Sequence, residues 1–349
     1  METLRERIIE AGRGAGLDLI GIAGAEPFTS VRLDLERRKQ AGMANGLGFT
    51  YRDPAVATEP RASFPWARYL VVGARSYLPA AGSPVPQVGT GRVARVVVDD
   101  AYVPLRAALG EVASVLSGEG FAAEVLCDDS RLVDRAAAVR AGLGWWGKNT
   151  MVLSPGFGPW LLFGSVVTDA DLEVDQPMSR DCGTCTACLP ACPTGALVAP
   201  GVLDARLCLA AWAQAPGMIP EPLREAMGDR LYGCDDCSEA CPPGRILLKR
   251  ATATRGRVDL SWLLHAADGE LLAAFGHWFI PSGDPDIIRR NGLIAAGNSG
   301  EGRLAAEVAP YTAHPNPMVA EHAWWALQRL GGPVAEALAQ VSPDAPKGK

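Results

Sequence analysis

No apolar run in this chain approaches the roughly eighteen residues that a membrane-spanning helix requires, so helical membrane insertion is excluded and a soluble protein is expected. Met1 to Ala11 is charged and helical in pattern, with no apolar stretch of the secretory kind, and the chain reads as cytoplasmic with reduced cysteines. No Gly-x-Gly-x-x-Gly leads from a strand pattern into a helix. Gly12, Gly14 and Gly16 have the wrong spacing, which disfavours a nicotinamide or flavin site of the Rossmann type. A net charge of -6 argues against a uniformly basic coat for nucleic acid. Acids are nevertheless missing from two stretches. Between Glu59 and Asp99 lie Arg61, Arg68, Arg75, Arg92 and Arg95, and between Cys241 and Asp259 lie Arg245, Lys249, Arg250, Arg255 and Arg257. Each stretch is a candidate anion site, with ordinary solvated arginines as the competing outcome.

What the chain does have is sulfur. Cys182-x2-Cys185-x2-Cys188-x3-Cys192-Pro193 is answered by Cys234-x2-Cys237-x3-Cys241-Pro242, with Cys208 between the runs. The first run has the ferredoxin spacing, in which three thiolates hold one 4Fe-4S cube and the fourth, before proline, crosses to a second. The spacing therefore predicts two clusters. One is held by Cys182, Cys185, Cys188 and Cys241, the other by Cys192, Cys208, Cys234 and Cys237, which leaves Cys127 over. A structural zinc site closes with four ligands and gives no role to the third cysteine or the Cys-Pro ending. Disulfides conflict with a reducing compartment.

Around this module the patterning is mixed, and the expected fold class is α+β. Leu105, Leu109, Val112 and Val115 recur at helical spacing up to Gly118 and Gly120, while Tyr69 to Ala74 and Leu161 to Val167 read as buried strands. Pro79 to Gly91 is a loop by composition. Beyond Arg257, Pro285 to Gly300 and Pro317 to Gly332 match in length and in their apolar positions. Each is followed by a second short segment, ending at Pro310 and Pro343, and a period of 32 to 33 residues signals a helical repeat, with an ordinary bundle as the alternative. Composition thus draws three consecutive domains: 1–175, a cluster module 176–248, and helices 249–349.

Clusters alone make an electron carrier, yet about 175 residues precede the module and about 100 follow it, so the electrons are expected to feed a reaction in the N-terminal domain. Cys127-Asp128-Asp129 ends the apolar run Ala122 to Leu126, a strand end at which side chains can be presented to a pocket, although any single acid is more often a solvated carboxylate. Arg140-Ala-Gly-Leu-Gly-Trp-Trp-Gly-Lys-Asn149 combines three glycines, which permit close backbone approach, with two tryptophans, Lys148 and Asn149. It looks like a wall around a large ligand.

Arg140 to Thr150, Cys182 to Leu197, Leu231 to Cys237 and Asn316-Pro-Met-Val-Ala-Glu-His-Ala-Trp-Trp-Ala-Leu327 together resemble the epoxyqueuosine reductase family, in order and across nearly the whole chain. The resemblance implies a nitroreductase-like domain that binds cobalamin, a ferredoxin-like module with two 4Fe-4S clusters, and C-terminal HEAT-like helices. It implies removal of the epoxide oxygen of epoxyqueuosine at the wobble position of a tRNA, with the anticodon arm as partner and a low-potential electron donor that the sequence does not name. By the same resemblance the proton donor falls on Asp128, with Asp129 and Asp134 as competing assignments. Arg61, the segment Val152 to Ser154, Phe163 and Asp235 fall beside the cobalamin. Arg245, Lys249, Arg250, Arg289 and Arg290 are candidates for the tRNA phosphates. No Asp-x-His-x-x-Gly motif is present, and His265, His277, His314 and His322 all follow the cluster module, which is consistent with a cobalt not ligated by a protein histidine. The chain departs from the family in having no Tyr-His pair before residue 103, in Leu-Ala-Ala-Trp-Ala-Gln after Cys208, and in Pro243-Gly244 after the last cysteine. Two other readings compete: a reductive dehalogenase-like cobalamin enzyme, and a non-catalytic iron-sulfur electron-transfer protein.

Overall fold

The computed structural model describes residues 2–78, 87–249 and 255–341. The chain divides into two compact units that interleave along the sequence: Met1–Pro79, Asp100–Arg206 and Asp236–Ala251 in the first, Ala80–Asp99, Leu207–Asp235 and Thr252–Lys349 in the second. Composition instead drew three consecutive domains. The difference arises because 207–235 is not held by its cysteines alone. Leu209, Ile219, Met227 and Leu231 are buried in the same apolar core as Leu263, Leu293 and Val319 of the C-terminal helices.

The first unit is built on a four-stranded sheet in the order Leu19–Gly24, Tyr69–Ser76, Leu161–Thr168, Ala123–Leu126, with every neighbouring pair antiparallel. The two central strands alternate strictly. Leu70, Val72, Ala74, Leu161, Phe163 and Val167 fill the core on one face, with the alanines of helix Asp134–Arg140, while Val71 and Val166 fill the other with Ile8 and Leu109. An antiparallel sheet with helices on both faces agrees with the α+β expectation. Gly73 and Gly164 pair in register, and Leu109 of helix Tyr102–Gly118 sinks onto them. A Cβ would lie 2.9 Å from Leu109 at Gly73 and 2.6 Å from it at Gly164. The glycines thus set how closely this helix, which carries Tyr102 and Arg106, approaches the end of the short edge strand.

The second unit has a three-stranded sheet with Thr90–Val93 at its centre, parallel to Arg230–Tyr232 and antiparallel to Arg257–Asp259. Thr90 and Gly91, read as loop from composition, are strand. Gly91 pairs with Val258, and a Cβ on it would lie 2.5 Å from Leu231, so the glycine serves close packing in a sheet and not a turn. Gln87 to Gly89 are the expected loop and turn, and 79–86 lies outside the described residues. The two matching C-terminal segments form helices Pro285–Ser299 and Pro317–Leu330. They begin alike, with the side chains of Asp284 and Asn316 accepting from the main chain two residues on and proline in the first turn. Their followers differ. The first is broken into the short helix Ala305–Val308 and 3-10 turns, the second is a helix, Gly332–Val341. Among the described residues no helix is long and apolar enough to cross a membrane.

Candidate active site

Cys182 and Cys185 lie in a turn, Cys188 opens the short helix Cys188–Ala191, and Cys241 precedes helix Pro242–Leu248, where a proline in the first turn starts the helix immediately after the ligand. These four lie near enough for their thiols to act on one another electrostatically. Burial raises the Cys188 thiol, and the thiols of Cys182 and Cys185 raise it further. Cys241 is pushed up to about 11, first by burial and then by Cys182, Cys188 and Cys185, with the Gly244 N–H acting against them. Protons are held only while nothing else neutralises the sulfurs, and a soft polynuclear cation relieves the crowding that raises them. Gly244 is itself tightly placed. A Cβ there would lie 2.3 Å from the Ser238 carbonyl, and its own carbonyl accepts from the Trp160 indole at 3.1 Å.

The second expected set draws Cys192 and Cys237 from the first unit and Cys208 and Cys234 from the second. Cys192 Sγ accepts the Ala196 N–H at 3.2 Å, a donor of the kind that surrounds cluster sulfurs, and lies 3.8 Å from the Thr194 hydroxyl. Cys208 immediately precedes helix Leu209–Gln214. Cys127 stands apart. It is buried in the apolar face behind the sheet, and its thiol is pushed up to about 12, chiefly by burial and then by Asp134.

The strand ends at Leu126, and two residues on Asp128 has φ 55°, a left-handed conformation uncommon for a residue other than glycine. The two adjacent acids therefore do not simply alternate across a sheet. Asp129 is held below the usual carboxylate range by Arg131, whose guanidinium donates to both oxygens at 2.7 to 3.2 Å. Asp128 keeps surface open to solvent, yet the protein packed round its carboxyl raises its proton affinity. Burial is the largest cause and Asp129 adds to it, while Arg106, the Tyr102 hydroxyl donating toward the carboxyl, and Arg135 act against it. Asp134, the first residue of helix Asp134–Arg140, has a buried Oδ1 with no hydrogen-bond partner and is raised well above the ordinary value, by burial first and then by Asp128. Tyr102 and Arg106 were not legible as site residues, since nothing local in the helix pattern marks them.

The Gly-rich segment forms the hairpin Trp145–Trp146 against Val152–Leu153. Its glycines are required by close approach. A Cβ on Gly144 would lie 2.4 Å from the Leu153 carbonyl, and one on Gly142, at φ 71°, 2.5 Å from the Gln176 carbonyl. The Trp145 indole N–H is buried without a partner. At the hairpin turn, Lys148 Nζ donates to the Gly183 carbonyl at 2.6 Å, and the buried Asn149 amide reaches the Cys237 carbonyl at 3.5 Å. Val152, Ser154 and Phe163 are themselves buried, and the Ser154 hydroxyl is spent on the Leu143 carbonyl. Arg61 donates to the Ala67 carbonyl at 3.0 Å. Asp235 receives the main chain and guanidinium of Arg95 at 2.8 and 3.0 Å.

The arginine-rich stretches are largely consumed by tertiary partners. Arg68 pairs with Asp171, Arg92 and Arg257 with Asp229, and Arg255 with Asp99. Arg289 and Arg290, expected at the tRNA, correct the sequence reading. Arg289 is 7% exposed and paired with Asp268 and Asp286, and Arg290 is 0% exposed, with its donors on the carbonyls of Trp212, Ala215 and Gly217. A guanidinium so enclosed builds the fold and cannot meet a phosphate. Arg245 and Lys249 are exposed, and Arg250 lies outside the described residues.

Cysteine loops of cluster spacing, a protonatable carboxylate at a strand end and a sheet unit with its own core define an iron-sulfur oxidoreductase. Residues 181–244 match the family model described as a 4Fe-4S double cluster binding domain. The chain is 31% identical over 344 residues to the epoxyqueuosine reductase of Staphylococcus aureus, covering 94% of this chain and 89% of that protein. To the epoxyqueuosine reductase of Bacillus subtilis it is 30% identical over 345 residues, with 95% and 88% covered. A crystal structure of epoxyqueuosine reductase with a tRNA-Tyr epoxyqueuosine-modified stem loop superposes with a TM-score of 0.88 at 29% identity, over 98% of this chain and 95% of that one. The chain belongs to the epoxyqueuosine reductase family.

Proposed function

We propose that this protein reduces epoxyqueuosine to queuosine at the wobble position of tRNA. Likeness over both units to reductases of that name supports it, and the observation that carries it is the Asp128 loop, which offers a carboxyl of raised proton affinity at a strand end. Two electrons and two protons convert the epoxide to a carbon-carbon double bond and water. A protonated carboxyl held against the departing oxygen meets one of the proton requirements. Asp128 fills that role, Tyr102 and Arg106 orient it, and Asp129, locked to Arg131, stays ionised and takes no part in the transfer.

The reading assigns two 4Fe-4S clusters to the two cysteine sets and a cobalamin to the first unit, whose sheet we take as nitroreductase-like. The cysteine region is ferredoxin-like in its ligand order, and the C-terminal helices are HEAT-like units. The unpartnered Trp145 indole N–H and the main chain of Val152 to Ser154 are the groups that would hold the corrin, since the side chains of Val152, Ser154 and Phe163 are turned inward. Arg61 is a further candidate through its remaining guanidinium donors, and Asp235 keeps its place through Arg95. When bound, the corrin supplies the two-electron chemistry at carbon that no side chain offers. Arg245 and Lys249 are the exposed cations proposed for the anticodon arm, a low-potential carrier is the proposed donor, and the cytoplasm is the proposed location.

The test is to incubate anaerobically reconstituted protein with cobalamin, a strong reductant and tRNA bearing epoxyqueuosine, then to digest the tRNA and analyse the nucleosides by mass spectrometry. Loss of one oxygen, dependent on added cobalamin, supports the reading. No conversion by protein with full iron content removes the substrate from it.

A further inference from the structure

The Lys148-Asn149 dipeptide has no part in the proton chemistry, yet several hydrogen bonds fix its position. The hairpin turn that carries it is held by Gly147 N–H on the Met151 carbonyl at 2.8 Å, and the Lys148 carbonyl accepts the Gly201 N–H at 2.9 Å. Arg135, next to Asp134, reaches the Thr150 carbonyl at 3.4 Å. From this anchored turn Lys148 Nζ extends to the Gly183 carbonyl, inside the Cys182-x2-Cys185 loop, at 2.6 Å. Lys148 also acts electrostatically on Cys188, favouring its thiolate. The opposing charge beside the same loop is Asp181, whose carboxylate accepts the Gly183 N–H at 2.6 Å.

We infer that Lys148 is a tuning residue for the cluster held by Cys182, Cys185, Cys188 and Cys241, and that its ammonium raises that cluster's reduction potential. The inference rests on the proposed ligation of this first cysteine set and not on the tRNA substrate. When the cluster takes one electron from the low-potential donor, no bond forms and no proton need move, so the reduced form simply carries one more negative charge. A fixed cation favours that form over the oxidised one, and net charge is among the terms that set such potentials. The hydrogen bond to Gly183 fixes where the charge sits. Because Lys148 is half-buried, salt screens the effect in part.

The experiment compares reconstituted wild-type protein, Lys148→Gln, Lys148→Met and Lys148→Arg by iron and sulfide content and by redox titration followed with electron paramagnetic resonance. Gln keeps a donor for the Gly183 carbonyl and removes the charge. The expected result is unchanged iron in Lys148→Gln, with a more negative midpoint for one signal, the one that Cys188→Ser abolishes. Lys148→Arg retains the wild-type midpoint, and the gap between Gln and wild type narrows as ionic strength rises. A wild-type midpoint in Lys148→Gln overturns the inference, as does loss of iron in Lys148→Gln, which would make the residue a structural tie only. Wild-type protein that assembles no cluster on this set would instead overturn the ligation on which the inference rests.

Discussion

Asp128, Asp129 and Asp134 share one turn of chain, yet their surroundings drive them apart: one lowered by Arg131, one raised while still open to solvent, one raised in a closed setting. Environments that separate neighbouring carboxyls in this way distinguish an acid from a bystander. Asp134 is raised as well, but its Oδ1 is buried with no partner, whereas Asp128 is an exposed residue. Asp128 combines proton affinity with access. Asp128→Asn is therefore expected to lower epoxyqueuosine turnover by at least about a hundredfold, the usual scale for losing a general acid. Its iron content should match the wild type. A donor must be protonated to act, so wild-type turnover should fall as pH rises through the raised pKa of Asp128. Nucleoside mass spectrometry across a pH series checks both statements, and near-normal turnover by the Asn variant would remove Asp128 from the role.

At the scale of elements, the most consequential side chain is one that local sequence misreads. Arg290 lies on helix Pro285–Ser299 but faces inward, clamping the carbonyls of Trp212, Ala215 and Gly217, while Asn291 beside it bonds the carbonyls of Ala213 and Leu231. Arg290→Met should destabilise the protein by about 3 kcal/mol or more, because several charge-assisted bonds are lost and buried carbonyls are left without donors. Thermal melting checks this, and a variant that melts normally but binds tRNA weakly would restore the phosphate role. Periodic apolar residues made the two central strands, the long helix and the capped C-terminal helices legible in sequence, since those patterns answer to local geometry. A 4Fe-4S binding region was legible through cysteine spacing alone. Arginine partners were not. Arg95 finds Asp235 at a separation of 140 residues, so a stretch that lacks acids in sequence is paired in the fold. Thr90–Val93 was hidden for the same reason, because both of its strand partners are distant in sequence.

Across the whole molecule, Cys182 to Cys192, Cys237 and Cys241 belong to the first unit and Cys208 and Cys234 to the second. Cys192→Ala should cost about half the bound iron, and Cys127→Ala, at a thiol buried behind the sheet, should cost none; iron analysis after anaerobic reconstitution decides between these sets. The second unit has its own pH dependence through His322, which is 0% exposed. The Ile219 N–H donates to its Nε2 at 3.3 Å, so the ring is neutral with its proton on Nδ1, facing the Met318 carbonyl at 2.6 Å. Burial above all, with Arg224 and Arg290 adding to it, depresses its pKa from 6.5 to about 4. A depressed histidine pKa means that the unfolded chain binds the proton first as pH falls. Stability is then constant above about pH 6.5, declines between 6.5 and 4, and levels off below, for a total loss of about 3 kcal/mol from this group. His322→Gln, which can still accept from Ile219, should flatten that acid limb. Its effect is readable as melting temperature against pH by the fluorescence of Trp324 and Trp325 on the same helix. An unchanged acid limb in the variant would assign the decline to the carboxylates paired with Arg224 and Arg289 instead.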